Sequence, residues 1–222
     1  MRVLTLVTLV LSGCSSEPAF EEADLREIVL QPDEAPAGVR FESEGSGVAD
    51  SYLRSQLAQP GEEWPPNGYE ISYQHFFSMP PLDDPETVPT MRVRGVVSLA
   101  VLFDCPETAS AFLQMGFPPE SQLSVPGFET LGEERRGLVT ETTGGLFIDE
   151  ETRPRRTTIV WRRANLFLQL NVSGEYSLDE VMALAVSVDR RASETPVTVD
   201  EDTRSSRISA ETSLDRTGKL DP

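Results

Sequence analysis

Apolar residues alternate with polar ones along several short segments, and this period of two predicts β-strands. The segment from Tyr69 to Phe77 places Tyr, Ile, Tyr, His and Phe on one face. The segment from Met91 to Phe103 carries apolar residues on both faces, which is typical of a central strand covered on both sides. Two further runs, Thr157 to Arg163 and Leu166 to Val172, flank Ala164-Asn165 and predict a hairpin.

Other segments have the longer period and the end signals of helices. The segment that starts at Asp104, a candidate N-cap, carries Ala109, Phe112 and Leu113 on one side before Gly116. Ser177 to Glu180 reads as a capping box that opens a last helix. Neighbouring strands joined by a hairpin favour antiparallel pairing. The pattern therefore predicts an α+β fold, a mainly antiparallel sheet with helices packed on one face.

Four segments follow from composition and pattern. We expect residues 1–13 to form a signal peptide, 14–22 a tether, 23–192 a single α+β domain, and 193–222, which have no aromatic residues and no periodicity, a disordered acidic tail. The central segment, about 170 residues long, is large enough for one hydrophobic core.

The N-terminal signal begins with Arg2 and an apolar run, Val3 to Leu11. As a helix this run would reach ~14 Å, against ~30 Å of bilayer hydrocarbon, so it predicts a signal peptide rather than a membrane span. The run Leu11-Ser12-Gly13-Cys14 that follows resembles the lipobox of bacterial prolipoproteins. The resemblance implies cleavage before Cys14 and a diacylglycerol on its thiol. We therefore expect the membrane as a partner, through a lipid anchor on Cys14, and a location in the cell envelope on the extracytoplasmic side.

Charge and cysteine content exclude some classes of function. The formal net charge of the 222 residues is −18, which argues against nucleic acid as a partner. If Cys14 carries lipid, Cys105 is left alone, and no intramolecular disulfide can form. We expect Cys105 to behave as a small buried apolar residue.

Catalytic and metal-binding patterns are absent from the sequence. His75 is the single histidine, which is too little for a typical zinc site, and no Gly-x-Ser-x-Gly sequence occurs. We predict no catalytic residues, no metal and no cofactor. The candidate binding residues are Trp161, Arg162, Arg163 and Phe167. They combine large aromatic side chains with part of a local cluster of arginines, which is unusual in so acidic a chain.

These observations predict a membrane-anchored, extracytoplasmic, non-enzymatic module that binds or senses an unknown ligand or an envelope protein. Two alternatives remain open. A carrier of lipid or another hydrophobic ligand would have an internal apolar cavity of several hundred Å³. A hydrolase using His75 or a carboxylate pair would place His75 in a cleft, with an acidic partner within about 3 Å.

Overall fold

The computed structural model describes residues 20–47, 68–78, 95–117, 119–141 and 155–196. The predicted signal peptide, Cys14 and most of the predicted tail lie outside these residues. Within them, six strands form one antiparallel sheet in the order β1-β2-β3-β6-β5-β4. The strands are β1 (Arg40–Ser46), β2 (Tyr69–Ser78), β3 (Gly95–Phe103), β4 (Glu134–Glu141), β5 (Arg155–Arg163) and β6 (Leu166–Gly174).

Within the described residues, three α-helices accompany the sheet: α1 (Leu25–Ile28), α2 (Pro106–Gly116) and α3 (Leu178–Glu194). Single 3₁₀ turns lie at Glu22–Asp24, Pro32–Glu34 and Phe128–Thr130. No helix in the described ranges has both the length and the apolar content needed to span a bilayer. The α+β class and the antiparallel sheet are confirmed, as is the hairpin of β5 and β6.

The helices pack on both faces of the sheet, which corrects the prediction that they share one face. Leu99, Val101 and Phe103 of β3 point toward α2 and pack with Phe112 and Leu113. The alternate residues of the same strand point toward α1 and α3, in a larger cluster. The double coverage follows from the sequence itself, because the central strands carry apolar side chains on both faces and each face needs its own layer.

The helix starts differ in how well they were predicted. Ser177 caps α3 as expected, its hydroxyl accepting a hydrogen bond from the Glu180 N–H and the Glu180 carboxylate returning to the Ser177 N–H. The N-cap of α2 is Cys105 and not Asp104, because Pro106 occupies the first helical position. Asp104 instead accepts a hydrogen bond from the Thr108 hydroxyl at 2.6 Å.

Regular structure or core packing extends a few residues past both predicted boundaries of the domain. Phe20, inside the predicted tether, has a buried side chain in the larger core cluster. At the other end, α3 continues to Glu194, inside the predicted tail. Phe20 is held by packing in the core, which composition alone does not report, whereas Ser193 and Glu194 are exposed and only complete the last turn of α3.

Residues 20–34, here called the N-terminal strap, are held to the sheet by side chains rather than by strand pairing. Asn165 accepts a hydrogen bond from the Phe20 N–H at 2.8 Å and donates to the Phe20 carbonyl at 3.3 Å. Ser98 accepts from the Leu30 N–H at 2.9 Å, and His75 Nδ1 lies 2.8 Å from the Leu30 carbonyl. These bonds satisfy backbone groups that would otherwise be buried without partners.

Candidate binding site

The predicted aromatic residues of the hairpin lie on opposite faces of the sheet. Trp161 pairs with Leu168, so its side chain belongs to the core beneath α3, where its indole N–H donates to Asp189 at 3.0 Å. Phe167 points the other way and packs edge-on against Phe112 of α2, with ring centroids 4.9 Å apart. Both side chains have no exposed surface, so in this structure they fill the two cores.

The two predicted arginines are occupied by carboxylates. Arg163 makes a two-point contact with Asp189, at 3.0 and 2.8 Å. Arg162 lies on the α2 face and donates to Glu134 at 3.0 Å. The structure therefore does not bring the four predicted residues together as one binding surface.

A polar cluster occurs instead where β1 meets β2, around Glu44. The Glu44 carboxylate accepts hydrogen bonds from Tyr73 Oη at 2.8 Å and from Arg26 at 2.8 and 3.1 Å. The imidazole Nε2 of His75 lies 3.3 Å from the same carboxylate. Strap, edge strand and second strand thus converge on one acidic group.

Two β-bulges decide which side chains reach this cluster. The register of β1 against β2 shifts between Phe41 and Ser43, which turns Glu44 onto the face that carries Phe41 and His75. A second shift, between Tyr69 and Ile71, sends Tyr69 to the α2 face although the strand alternation predicts it beside His75. Bulges commonly re-aim a side chain in this way.

Electrostatics hold Glu44 ionised. The hydrogen bond from Tyr73 is the largest single influence and lowers the pKa of Glu44, desolvation opposes it, and Arg26 lowers the pKa further. Burial, followed by the bond to Glu44, raises the pKa of Tyr73. The pKa of Arg26 is raised by the same carboxylate. At neutral pH the cluster therefore contains a carboxylate, a guanidinium and a neutral phenol.

His75 is enclosed within this cluster. The residue is 2% exposed, and the rings of Phe41, Tyr73 and Phe77 surround its imidazole with centroids 5.1, 5.5 and 6.4 Å away. One ring nitrogen faces the Leu30 carbonyl and the other faces Glu44. A carboxylate is near, but Nε2 makes no hydrogen bond to it and is buried, so neither nitrogen is open to a substrate.

An open cavity of 590 Å³ lies beside the cluster, between the strap and the N-terminal half of β2. This volume falls within the range of ~300–1,000 Å³ that is usual for small-molecule sites. We call it the edge cavity. Its lining residues are Glu21, Glu22, Ala23, Leu25, Arg26, Ser46, Ile71, Ser72 and Tyr73.

Sequence reasoning missed Arg26, Glu44 and Tyr73 as site residues. Tyr73 was predicted on the correct face of its strand, but Arg26 and Glu44 come from segments without a distinctive motif. Only the bulge in β1 and the folding back of the strap bring them together.

Metal-binding geometry does not occur in the described part of the chain, where no group of three or more His, Cys, Asp or Glu side chains is placed to hold an ion. Cys105 is buried there as a free thiol, 3.5 Å from the Thr108 hydroxyl.

Comparison with known proteins shows a similarity of fold. No protein-family model and no curated protein matches the sequence. Among solved structures, the chain is similar to the extracellular domain of PknH from Mycobacterium tuberculosis, with 13% sequence identity and a TM-score of 0.51. The match covers 82% of this chain and 100% of that domain. At this level of identity the likeness establishes a shared fold.

Proposed function

We propose that this chain is a membrane-anchored, extracytoplasmic binding or sensing module without enzymatic activity, and that the edge cavity is its ligand site. The observation that carries the proposal is the cavity itself, a 590 Å³ opening with a mixed apolar and charged lining. The lipobox-like run ending at Cys14 supports the anchor, and the fold shared with an extracellular domain is in keeping with that location.

The cavity wall is prearranged for binding. Arg26 and Tyr73, which line it, are both held by Glu44, and Leu25 is a fully packed core residue of the strap. Side chains that are already ordered lose little conformational entropy when a ligand arrives. Such an ordered wall lowers the entropic cost of binding and therefore favours a role in ligand binding.

The hydrolase alternative receives less support. A general base must have a nitrogen within hydrogen-bond reach of the substrate proton. His75 has 2% of its surface exposed, and its two nitrogens face Leu30 and Glu44. The cluster is better explained as a device that fixes the strap.

The carrier alternative also loses its predicted pocket. This alternative requires an internal apolar cavity, but Trp161 and Phe167, the aromatic residues among the predicted binding residues, are fully packed within the cores. The edge cavity has carboxylates at Glu21 and Glu22 and a guanidinium at Arg26 around it, which favours a ligand with a polar part.

Lipid attachment is tested by mass spectrometry of the mature protein isolated from the envelope of a bacterial host. We expect an N-terminal peptide that begins at Cys14 and carries the mass of a diacylglycerol. The Cys14→Ser variant should lack this mass. An unmodified Cys14 in the mature wild-type protein would contradict the anchor.

The ligand site is tested by native mass spectrometry of the full chain, released from the envelope in mild detergent. Ile71→Trp should fill the edge cavity and remove a co-purifying ligand mass. Leu138→Trp is the matched control, because it adds the same volume on β4, where Leu138 is 43% exposed. A ligand that Ile71→Trp leaves in place, or no bound mass in any preparation, would contradict this site.

A further inference from the structure

We propose that the edge cavity takes a cationic amphiphile, an amine attached to an apolar chain, supplied from the membrane surface. This inference rests on the proposed function and names the class of ligand for the same site. Three features of the described residues carry it: the charge at the cavity, its apolar wall, and the fixed position of Phe20.

Charge at the cavity favours a cation. Two acidic residues, Glu21 and Glu22, belong to the lining, and Arg26 is the single basic residue among the described residues that line the cavity. The guanidinium of Arg26 is engaged by Glu44 at 2.8 Å, so the acidic group on β1 compensates its charge. The cavity therefore keeps a net negative potential, in a chain whose formal charge is −18. An anionic ligand would be repelled, whereas an amine is attracted.

The opposite part of the lining is apolar. Ile71 projects from β2 and Leu25 from α1, with Ala23 between the acidic residues and the helix. Leu25 is packed in the core and only backs this wall, whereas Ile71 and Ala23 keep accessible surface for a hydrocarbon chain, whose burial contributes ~0.8 kcal/mol per CH₂. A ligand that satisfies both parts of the lining is amphiphilic.

The position of Phe20 puts the cavity near the bilayer. Asn165 holds both backbone groups of Phe20, and the Phe20 side chain is 4% exposed, so this residue is a fixed point of the fold. Five residues lie between Cys14 and Phe20, and the six Cα–Cα steps that join the two residues span at most ~22 Å when fully extended. The cavity lining starts at the next residue, Glu21. A lipid on Cys14 would therefore hold the cavity close to the interface where amphiphiles collect.

The test uses the full lipidated chain in phosphatidylcholine vesicles, with dodecylamine and dodecanoate as probes of equal chain length and opposite charge. Hydrogen–deuterium exchange reports binding through the strap and β2. We expect dodecylamine to protect both segments and dodecanoate to leave them unchanged. Ile71→Trp should abolish the protection. Equal protection by both probes would overturn the proposal.

A charge-removing variant sharpens the result. Glu22→Gln should weaken the response to dodecylamine by about two- to five-fold, the range expected for an exposed ion pair. Glu107→Gln is the matched control, because Glu107 is exposed at the start of α2 on the other face of the sheet. The assignment of the amine to this cavity fails if the two variants behave alike.

Supply from the membrane is separated from supply through water by lengthening the tether. A flexible insertion of twenty residues after Ala19 should weaken the response to membrane-bound dodecylamine and leave the response to water-soluble hexylamine unchanged. Equal responses in both tethers would overturn membrane supply. If neither amine protects the cavity while native mass spectrometry still shows an Ile71-dependent ligand, the cationic class is wrong and the proposed function stands.

Discussion

The two hydrogen bonds by which Asn165 holds the backbone of Phe20, here called the Phe20 clamp, permit a quantitative prediction for Asn165→Ala. The carboxamide of Asn165 accepts from the Phe20 N–H at 2.8 Å, donates to the Phe20 carbonyl at 3.3 Å, and donates to the Phe103 carbonyl at 2.8 Å. The residue itself is 2% exposed, so water does not readily replace the carboxamide. Alanine removes all three bonds.

The magnitude follows from the number and burial of these bonds. A typical intramolecular hydrogen bond contributes about 1 kcal/mol net, and a buried group left without a partner costs about 1–3 kcal/mol. Asn165→Ala takes the acceptor from the Phe20 N–H and a donor from the Phe20 and Phe103 carbonyls, while the backbone bond from the Phe103 N–H to the Asn165 carbonyl, at 3.0 Å, survives. We therefore expect Asn165→Ala to lower the free energy of unfolding by about 2–4 kcal/mol.

Urea denaturation followed by circular dichroism measures this loss, and hydrogen exchange at the Phe20 amide measures the local effect. The Phe20 amide should exchange much faster in Asn165→Ala, because it loses its acceptor. Gln122→Ala is the control, since its side chain makes an exposed bond to the Pro119 carbonyl at 3.2 Å. A loss below about 0.5 kcal/mol in Asn165→Ala, with unchanged exchange at Phe20, would refute the clamp.

Three further variants test other parts of the fold. Gly132→Ala should lower the free energy of unfolding by about 3 kcal/mol or more, because φ is +43° and a Cβ would lie 2.2 Å from a backbone carbonyl of β5. Gly47→Ala is the control, with φ +73° and no atom within 4 Å, and should lower it by only about 1–2 kcal/mol. Equal urea midpoints for the two variants would contradict this prediction. Trp161→Phe should cost about 1–3 kcal/mol by circular dichroism, because it removes the indole donor to buried Asp189, and full native stability would argue against that bond. Burial alone would raise the pKa of Glu34, but bonds from a serine of α3, a backbone N–H and an arginine of α3 outweigh it and hold the pKa below 4.5. Its stabilisation is therefore present above that pH and is lost as the pH falls through the lower folded value, so Glu34→Gln should flatten the acid limb of stability against pH, and an unchanged limb would refute this.

The strands were predictable where the amphipathic pattern is local. The hairpin of β5 and β6 depends on residues that are adjacent through the turn at Ala164-Asn165, and Ala164 takes the left-handed φ of 49° that a tight turn requires. The same register could have shown that Trp161 and Phe167 point to opposite faces, because Trp161 faces Leu168. Their grouping as one site neglected this alternation.

The site itself could not be predicted from the sequence. Glu44 reaches His75 because the β1 register shifts after Phe41, and a single extra residue in an edge strand has no distinctive sequence signal. Arg26 reaches Glu44 because the strap folds back along the sheet. Both contacts join segments that are distant in the sequence, so neither the hydrophobic periodicity nor a sequence motif predicts them.

The strap shows how side chains can replace strand pairing at a sheet. It carries no strand, yet Asn165 satisfies its backbone at Phe20, and His75 and Ser98 do so at Leu30. The two points of attachment are separated along the sheet, and Arg26 forms a third contact between them. A segment held at three points can keep one wall of the edge cavity in place and leave the cavity open. A continuous ladder of backbone hydrogen bonds would close the cavity. Buried His75 has a structural role here, because its contact with the Leu30 carbonyl helps to hold the strap that forms one wall of the cavity.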